Sequence, residues 1–176
     1  KGIYGISNGS VSIGVPADDG QEVVIYHTGK WFWVGDLELL ANGPRIASVV
    51  AAGPTDCLFL PIGQVRQLVK DQPDFLHEFY RMSYQNGRMI MRALANMTVP
   101  GSAKRVALRL LQYHQASCSE GDWIMISQTQ LAQTTALSPA TLQRVIKRLV
   151  AMDILEVGYG KLRILDLERL SGLLEA

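Results

Sequence analysis

Apolar and polar positions alternate along the first seventy residues with the period of two that is typical of β-strands. Val11, Ile13 and Val15 are separated by polar or small residues, and Asn8-Gly9 before them is a common hairpin sequence. Further short apolar runs follow, each bounded by turn-forming residues. The strands predicted in this way are 3–6, 11–15, 23–26, 46–52 and 57–60. Short strands at such intervals predict a β-roll or a β-barrel.

The pattern then changes to the longer period of α-helices. We predict a short helix over 62–69 and a long helix from about Pro73 to Thr98. The long helix carries more apolar residues than one narrow stripe can hold, so we expect two of its faces to be buried, one of them on the β-roll. The other face has the 3/4 spacing of a coiled-coil seam and consists of Phe79, Ser83, Gly87, Ile90, Leu94 and Met97.

This seam predicts a homodimer, because closed two-fold dimers are the most common oligomers. Gly87 in its middle would let two helix backbones approach closely. The alternative is that all of these side chains pack within one chain.

Two short helices joined by a tight turn are predicted over 126–149. Ser127 and Gln130 have the spacing of a capping box, and Ser138 followed by Pro139 marks the start of the second helix. One face of the second helix is apolar and the opposite face is polar and basic. The apolar residues are Leu142, Val145, Ile146 and Leu149, and the polar ones are Thr141, Gln143, Arg144, Lys147 and Arg148. Docking into the DNA major groove requires such a helix-turn-helix, and a small helical domain that binds another protein is the alternative.

Short strands at 123–126, 154–157 and 161–165, with a turn at 158–160, add a wing to these helices. Val99-Pro100-Gly101 ends the long helix and predicts a hinge. The predicted fold class is therefore α+β, with a β-roll of the jelly-roll type at 1–71, a long dimerisation helix at 72–98, a hinge at 99–102 and a winged helix-turn-helix at 103–176.

The composition narrows the possible functions. The net charge is only +1, so the position of the charges matters more than their sum. The excess of basic residues falls on the second helix and the wing, where contacts to phosphate would be needed. Cys57 and Cys118 lack the spacing of metal ligands, as do His27, His77 and His114. No catalytic arrangement, signal peptide or membrane-spanning run is visible, so we expect a cytoplasmic protein that is not an enzyme and binds neither metal nor membrane.

The order of β-roll, long helix, hinge and winged helix resembles the Crp/Fnr family of bacterial transcription regulators. The resemblance covers essentially the whole chain, which begins at Lys1 in a strand and is similar to a family member without its first few strands. Its most specific part is GDLELLANGPRIAS at 35–48, which resembles the phosphate-binding cassette of the family. The resemblance implies effector-binding residues at Gly35, Asp36, Leu37, Arg45 and Ile46 in the cassette and at Ile90 and Met91 in the long helix.

Several of these positions depart from the form of the cassette that binds cyclic AMP. Asp36 replaces the usual Glu, and Ile46 replaces a hydroxyl residue. Ile90 and Met91 stand where the cyclic-AMP receptor has two hydroxyl residues. A polar ligand loses affinity when its hydrogen-bond partners are missing, so we do not expect cyclic AMP and leave the cofactor unknown. Two interpretations remain: Arg45 binds another anion, or it is a structural residue of a sensor that binds no ligand.

In the second half of the chain, 138–144 corresponds to the start of the family's recognition helix. Gln143 has the groups for a bidentate contact to adenine and Arg144 for one to guanine, whereas Pro139 and Ala140 carry no base-reading group. Thr141 suits a phosphate or a thymine methyl group. The other candidate DNA contacts are Ser127, Gln128, Thr129, Ser138, Lys147, Lys161 and Arg163.

The resemblance therefore implies a sequence-specific regulator that binds a near-palindromic operator as a homodimer. Its expected partners are double-stranded DNA, a second copy of itself and RNA polymerase. An event in the β-roll would rotate the DNA-binding domains about 99–102. A constitutive regulator with a degenerate sensor, and a winged-helix module for protein interactions, are the alternatives.

Overall fold

The computed structural model describes residues 1–18, 20, 22–37, 43–115, 119–120 and 123–175. Three parts of the sequence predictions lie outside these residues. They are Asp19, in the turn predicted between the strands at 11–15 and 23–26, the middle of the cassette at 38–42, and Cys118.

Six strands form the β-roll as two antiparallel sheets of three strands each. The strands are β1 (Gly2–Asn8), β2 (Ser10–Pro16), β3 (Glu22–Gly29), β4 (Trp33–Val34), β5 (Ser48–Ala51) and β6 (Asp56–Pro61). One sheet has the order β4-β1-β6 and the other the order β3-β2-β5. Ile3, Ile6, Val11, Ile13 and Ile25 are buried, as the alternating pattern predicts. The predicted β-roll is confirmed.

The predicted hairpin at Asn8-Gly9 is wrong. Strand β1 pairs with β4 and β6, whereas β2 pairs with β3 and β5, so the chain crosses from one sheet to the other at this point. Gly9 has a φ of +79°, and a Cβ there would lie 2.4 Å from the carbonyl oxygen of Pro54. The two residues do make a tight turn, but contacts distant in sequence decide which strands are paired.

Three helices follow the roll: α1 (Ile62–Asp71), α2 (Phe75–Thr98) and α3 (Ser102–Gln115). The long helix α2 begins two residues later than predicted and ends before Pro100-Gly101, where Gly101 has a φ of +90°. No helix among the described residues is long and apolar enough to cross a membrane.

The winged helix-turn-helix contains α4 (Gln128–Thr134), α5 (Pro139–Ala151), α6 (Leu167–Gly172) and a sheet. The sheet has the order β7-β8-β10-β9, with β7 at Ser119–Glu120, β8 at Trp123–Ile124, β9 at Leu155–Gly158 and β10 at Lys161–Ile164. Val106, Leu110, Leu131, Leu142 and Ile146 are buried in one core that continues to Ile25 and Tyr26 of the roll. Strand β3 packs against α2 and α4, so the roll and the helix-turn-helix are in contact.

Ala136 occupies the left-handed backbone region in the turn between α4 and α5, with a φ of +50°. An L-residue with a Cβ is strained there by roughly 1 kcal/mol, and glycine is not. We expect Ala136→Gly to keep or raise the free energy of unfolding, measured by urea denaturation. The control Ala132→Gly, in the interior of α4, should lower it by about 1 kcal/mol. A loss in Ala136→Gly as large as that in the control would contradict the strain argument.

Candidate DNA interface and effector cavity

Helix α5 presents a polar and basic face to solvent because its apolar stripe is buried. The hydroxyl of Ser138 caps the helix by accepting the N–H of Thr141 at 3.2 Å, and Pro139 follows at the first helical position. Leu142, Val145, Ile146 and Leu149 are buried in the core. The exposed side chains include Gln143, Arg144, Lys147 and Arg148. The sequence prediction of this face agrees with its geometry.

Arg144 is held at the first turn of α5 by a short chain of hydroxyl groups. Its Nη2 donates to Oγ1 of Thr141 at 3.2 Å, and Oγ of Ser138 donates to the same oxygen at 2.9 Å. The guanidinium therefore lies close to the end of the helix that reaches base edges in a helix-turn-helix.

Helix α4 begins with the predicted capping box. The N–H of Ser127 donates to Oε1 of Gln130 at 2.8 Å, and the N–H of Gln130 donates to Oγ of Ser127 at 3.2 Å. The hydroxyl of Ser127 is thus used within the protein. Gln128 and Thr129 are exposed beside it and remain candidates for phosphate contacts.

The wing uses two of the predicted basic residues for contacts within the protein. Lys161 and Arg163 lie over the ring of Trp123, at 4.5 and 4.9 Å from its centroid. Arg163 also forms an ion pair with Glu156, to which its Nε donates at 2.8 Å. This partly exposed ion pair engages Arg163 within the protein, so Lys161 is the stronger candidate of the two, and the phosphate contact of Arg163 stays a prediction.

Sequence reasoning missed two features of this interface. Tyr159 is fully exposed at the tip of the wing, and the signal was an aromatic residue between the turn glycines at 158 and 160. Arg105 and Arg109 of α3 donate to carbonyl groups of the turn between α4 and α5. The sequence pattern that could have predicted these contacts is the spacing of four residues between the two arginines, which places both on one face of a helix with a buried apolar stripe.

The roll contains a cavity of about 830 Å³ between the cassette and α2. All five cassette residues predicted for effector binding line it, and Ile90 lines it from α2. Met91 does not, because it lies 100° further around the helix and is 69% exposed. Asn86 and Met89 line the cavity instead. Met91 lies outside the cavity of the single chain, and its predicted contact with an effector stays a prediction.

Asp36 connects the cassette to the long helix. It is only 3% exposed, and its carboxylate accepts from Oγ of Ser83 at 2.5 Å and from Nδ2 of Asn86 at 3.3 Å. The same amide nitrogen donates to the carbonyl oxygen of Trp33 at 3.0 Å. A buried carboxylate requires such partners, so the cassette and α2 are joined without a ligand.

This contact changes the predicted dimerisation seam. Ser83 faces the cassette, and Ile90 and Met97 pack against the core, so these three do not belong to a free face. Phe79 is half-buried, while Gly87 and Leu94 are exposed. The exposed apolar stripe of α2 consists of Leu76, Tyr80, Tyr84, Met91 and Leu94. It has the predicted 3/4 spacing but is rotated around the helix.

No group of three His, Cys, Asp or Glu residues with metal-binding geometry occurs within the described part of the chain.

Comparison with known proteins identifies both halves of the chain. The family model "Cyclic nucleotide-binding domain" matches residues 1–72, and "Crp-like helix-turn-helix domain" matches residues 104–173. The chain belongs to the Crp/Fnr family of transcription regulators. The resemblance seen in the sequence is thereby confirmed, as is the prediction that this regulator is not an enzyme, since its relatives are transcription regulators.

Curated relatives of this Crp/Fnr regulator cover most of its length. The CRP-like cAMP-activated global transcriptional regulator of Mycobacterium tuberculosis is 25% identical over 96% of this chain and 78% of the relative. The cAMP-activated global transcriptional regulator CRP of Pasteurella multocida is 26% identical over 90% of this chain and 78% of the relative.

Solved structures share the fold of this regulator. FixK2 from Bradyrhizobium japonicum has a TM-score of 0.83 at 18% identity, covering 97% of this chain and 86% of that protein. A CRP-family regulator from Thermus thermophilus has a TM-score of 0.79 at 18% identity, with coverages of 99% and 88%. These similarities confirm the predicted α+β fold.

The bond between Ser83 and Asp36 should contribute measurably to stability. A hydrogen bond to a charged group contributes about 1.5–3 kcal/mol, and Ser83→Ala would leave the buried carboxylate with one partner fewer. We expect urea denaturation to show a loss in this range. Thr98→Ala is the matched control, because its exposed hydroxyl bonds only within its own helix, to the carbonyl of Ala95. Equal losses in both variants would mean that Asp36 does not need Ser83.

Proposed function

We propose that this regulator binds a near-palindromic DNA operator as a homodimer and that an effector in the roll cavity controls its affinity. The observation that carries the proposal is the exposed face of α5, on which Gln143, Arg144 and Lys147 stand free of the core. A helix buried on one side and basic on the other matches what major-groove binding requires.

Each side chain on this face has a distinct proposed role. Arg144, placed by Thr141, reads guanine, and Gln143 reads adenine. Pro139 and Ala140 read no base, so the half-site differs from that of relatives with polar residues there. The proposed phosphate contacts are Gln128, Thr129, Lys147, Tyr159 and Lys161, with the two capping residues Ser127 and Ser138 as further candidates of equal standing.

The exposed stripe of α2 is the proposed dimer seam. Leu76, Tyr80, Tyr84, Met91 and Leu94 leave a large apolar surface on a helix whose opposite side packs on the roll. Pairing with a second copy would bury this stripe by a two-fold contact. The two α5 helices would then meet half-sites about 34 Å apart.

The cavity supports an effector that is an anion with an apolar body. Arg45 provides a positive group at the cavity wall, while Phe32, Ile46, Met89 and Ile90 provide an apolar lining. The Asp36 carboxylate already holds two side chains of α2, so it is poorly placed for a ribose hydroxyl. The relatives named above are cAMP-activated, and we propose that this chain differs from them in its ligand.

One observation favours a second candidate, a constitutive regulator without an effector. Asp36 bonds directly to Ser83 and Asn86, so the link between the cassette and the long helix needs no bridging molecule. In either case we propose that the regulator acts on DNA in the bacterial cytoplasm and contacts RNA polymerase where it activates transcription.

Arg144→Ala should weaken operator binding by about 1–3 kcal/mol and relax specificity at one base pair, because the guanidinium reads that base. Lys147→Ala should weaken binding to all sequences and reduce the salt dependence by about one phosphate contact. The measurement is fluorescence anisotropy across a salt series on a site obtained by selection. Arg66→Ala, an exposed arginine on α1, is the control with the same charge change.

If selection recovers no palindromic site and Arg144→Ala changes nothing, the winged helix serves a protein partner instead of DNA.

Calorimetry should show no binding of cyclic AMP, because Ile46 and Ile90 offer no hydrogen bonds to it. Decanoate and phenylacetate, two carboxylates with apolar bodies, should bind the wild type and lose affinity in Arg45→Gln. Heat from cyclic AMP would contradict the proposed ligand class. No heat from any of the three ligands, together with tight operator binding, would favour the constitutive regulator.

A further inference from the structure

The helix-turn-helix packs on strand β3 of the roll through side chains that carry polar groups or charge. Tyr26 and His27 belong to β3, and Arg109 and Tyr113 belong to α3. All four are buried, with His27 and Arg109 only 1% exposed. We call these four residues the interdomain cluster.

Arg109 is the centre of the interdomain cluster. Its guanidinium carbon lies 5.5 Å from the ring centroid of Tyr26 and 5.9 Å from that of Tyr113. Nη2 donates to the carbonyl oxygen of Thr134 at 2.6 Å, and Nη1 donates to Oε1 of Gln112 at 3.3 Å. The described part of the chain places no carboxylate on this cation. Aromatic faces and a carbonyl therefore stabilise a buried charge, and one of those faces comes from the roll.

The carbonyl held by Arg109 belongs to the last residue of α4, immediately before the turn to α5. Arg105, one helical turn earlier on α3, points Nη1 at the next two carbonyl oxygens, those of Thr135 at 3.3 Å and Ala136 at 3.4 Å. Two arginines thus hold three consecutive carbonyls of the turn that sets the direction of α5. The roll contacts one of these arginines directly.

His27 adds a second link between the domains. Its Nε2 lies 3.2 Å from the carbonyl oxygen of Met125, two residues before the N-cap of α4, and its Nδ1 lies 3.2 Å from Oγ of Ser12. A carbonyl only accepts, so Nε2 carries the hydrogen and Nδ1 accepts from Ser12. The ring stands edge-on to Tyr113, with centroids 6.2 Å apart.

We propose that Tyr26 and His27 are positioning residues for DNA binding: through Arg109 and Met125 they hold the turn before α5 in the arrangement that binds the operator. The docked arrangement leaves Gln143, Arg144 and Lys147 exposed, so it is compatible with DNA. The inference rests on the proposed DNA binding, and it assigns the roll a direct role in placing the recognition helix.

The test uses the full chain and its selected operator. Tyr26→Leu and Arg109→Met should each weaken operator binding about tenfold, since each removes one side of a desolvated cation–π contact. The double variant should have the same operator affinity as the single variant with the lower affinity, because both substitutions remove one contact. Tyr26→Phe keeps the ring and should restore most of the affinity. Phe59→Leu, an aromatic replacement in the other sheet of the roll, is the control.

A pH series provides a readout that a merely structural role would not move. Burial lowers the pKa of His27 below its ordinary value of 6.5, and the bond to Met125 opposes this shift. The docked state therefore holds His27 neutral, whereas an undocked His27 takes up a proton as the pH falls through 6.5. The contribution of His27 to docking is therefore complete above that pH and decreases as the pH falls below it. The titratable and charged groups of the cluster around His27 are Tyr26, Tyr113 and Arg109.

Operator affinity of the wild type should therefore fall as the pH is lowered from 7.5 to 5.5. The slope of log affinity against pH should correspond to uptake of about one proton per protomer at most. His27→Gln should flatten this profile. It also serves as the test where Tyr26→Leu or Arg109→Met fails to fold.

Two results would overturn the inference while leaving the proposed function intact. One is tight operator binding by the wild type that Tyr26→Leu leaves unchanged or strengthens. The other is a pH profile that is identical in His27→Gln. Absence of operator binding by the wild type would instead count against the proposed function itself.

Discussion

A buried guanidinium needs acceptors or aromatic faces around it, and Arg109 finds them between two domains for its Nη groups, whereas its Nε has no hydrogen-bond partner among the described residues. Tyr26 of the roll covers one side, Tyr113 covers another, and the carbonyl of Thr134 accepts its hydrogen bond. Because the partners come from different parts of the chain, the helix-turn-helix cannot leave the roll without exposing this cation to a new environment. The geometry of the turn before the recognition helix is thereby tied to the sensor.

The cassette follows the same physical rule with the opposite charge. Asp36 is as buried as an apolar residue, and its carboxylate is satisfied by Ser83 and Asn86 of the long helix. In this chain the contact between cassette and helix is made directly by the protein's own side chains. A ligand that enters the cavity meets an apolar wall, Arg45 and the side chain of Glu22, whereas the Asp36 carboxylate is already bonded to α2. The contacts of Asp36 with the long helix thus set the position of the cassette, and a bound ligand would act on that position.

The long helix packs against the roll on one side and is exposed to solvent on the other. Its contacts with the roll decide its rotation, because Ser83 bonds to Asp36 and Ile90 and Met97 pack on the core. What remains exposed is a stripe from Leu76 to Leu94 that contains two tyrosines. Periodicity predicted that two faces of the helix are apolar. With so many apolar residues, several rotations of the helix about its axis fit the pattern, and only the packing on the roll decides which rotation occurs.

Local chemistry determined much of this protein from the sequence by itself. The caps at Ser127 and Ser138, the periods of the strands and helices and the polar face of α5 all depend on residues close together in the chain. Tertiary structure alone decided the sheet partners on either side of Gly9, the rotation of the long helix, the pairing of Arg163 with Glu156 and the burial of Arg109. These features join residues that are distant in sequence, and no local pattern encodes which distant partner a side chain meets.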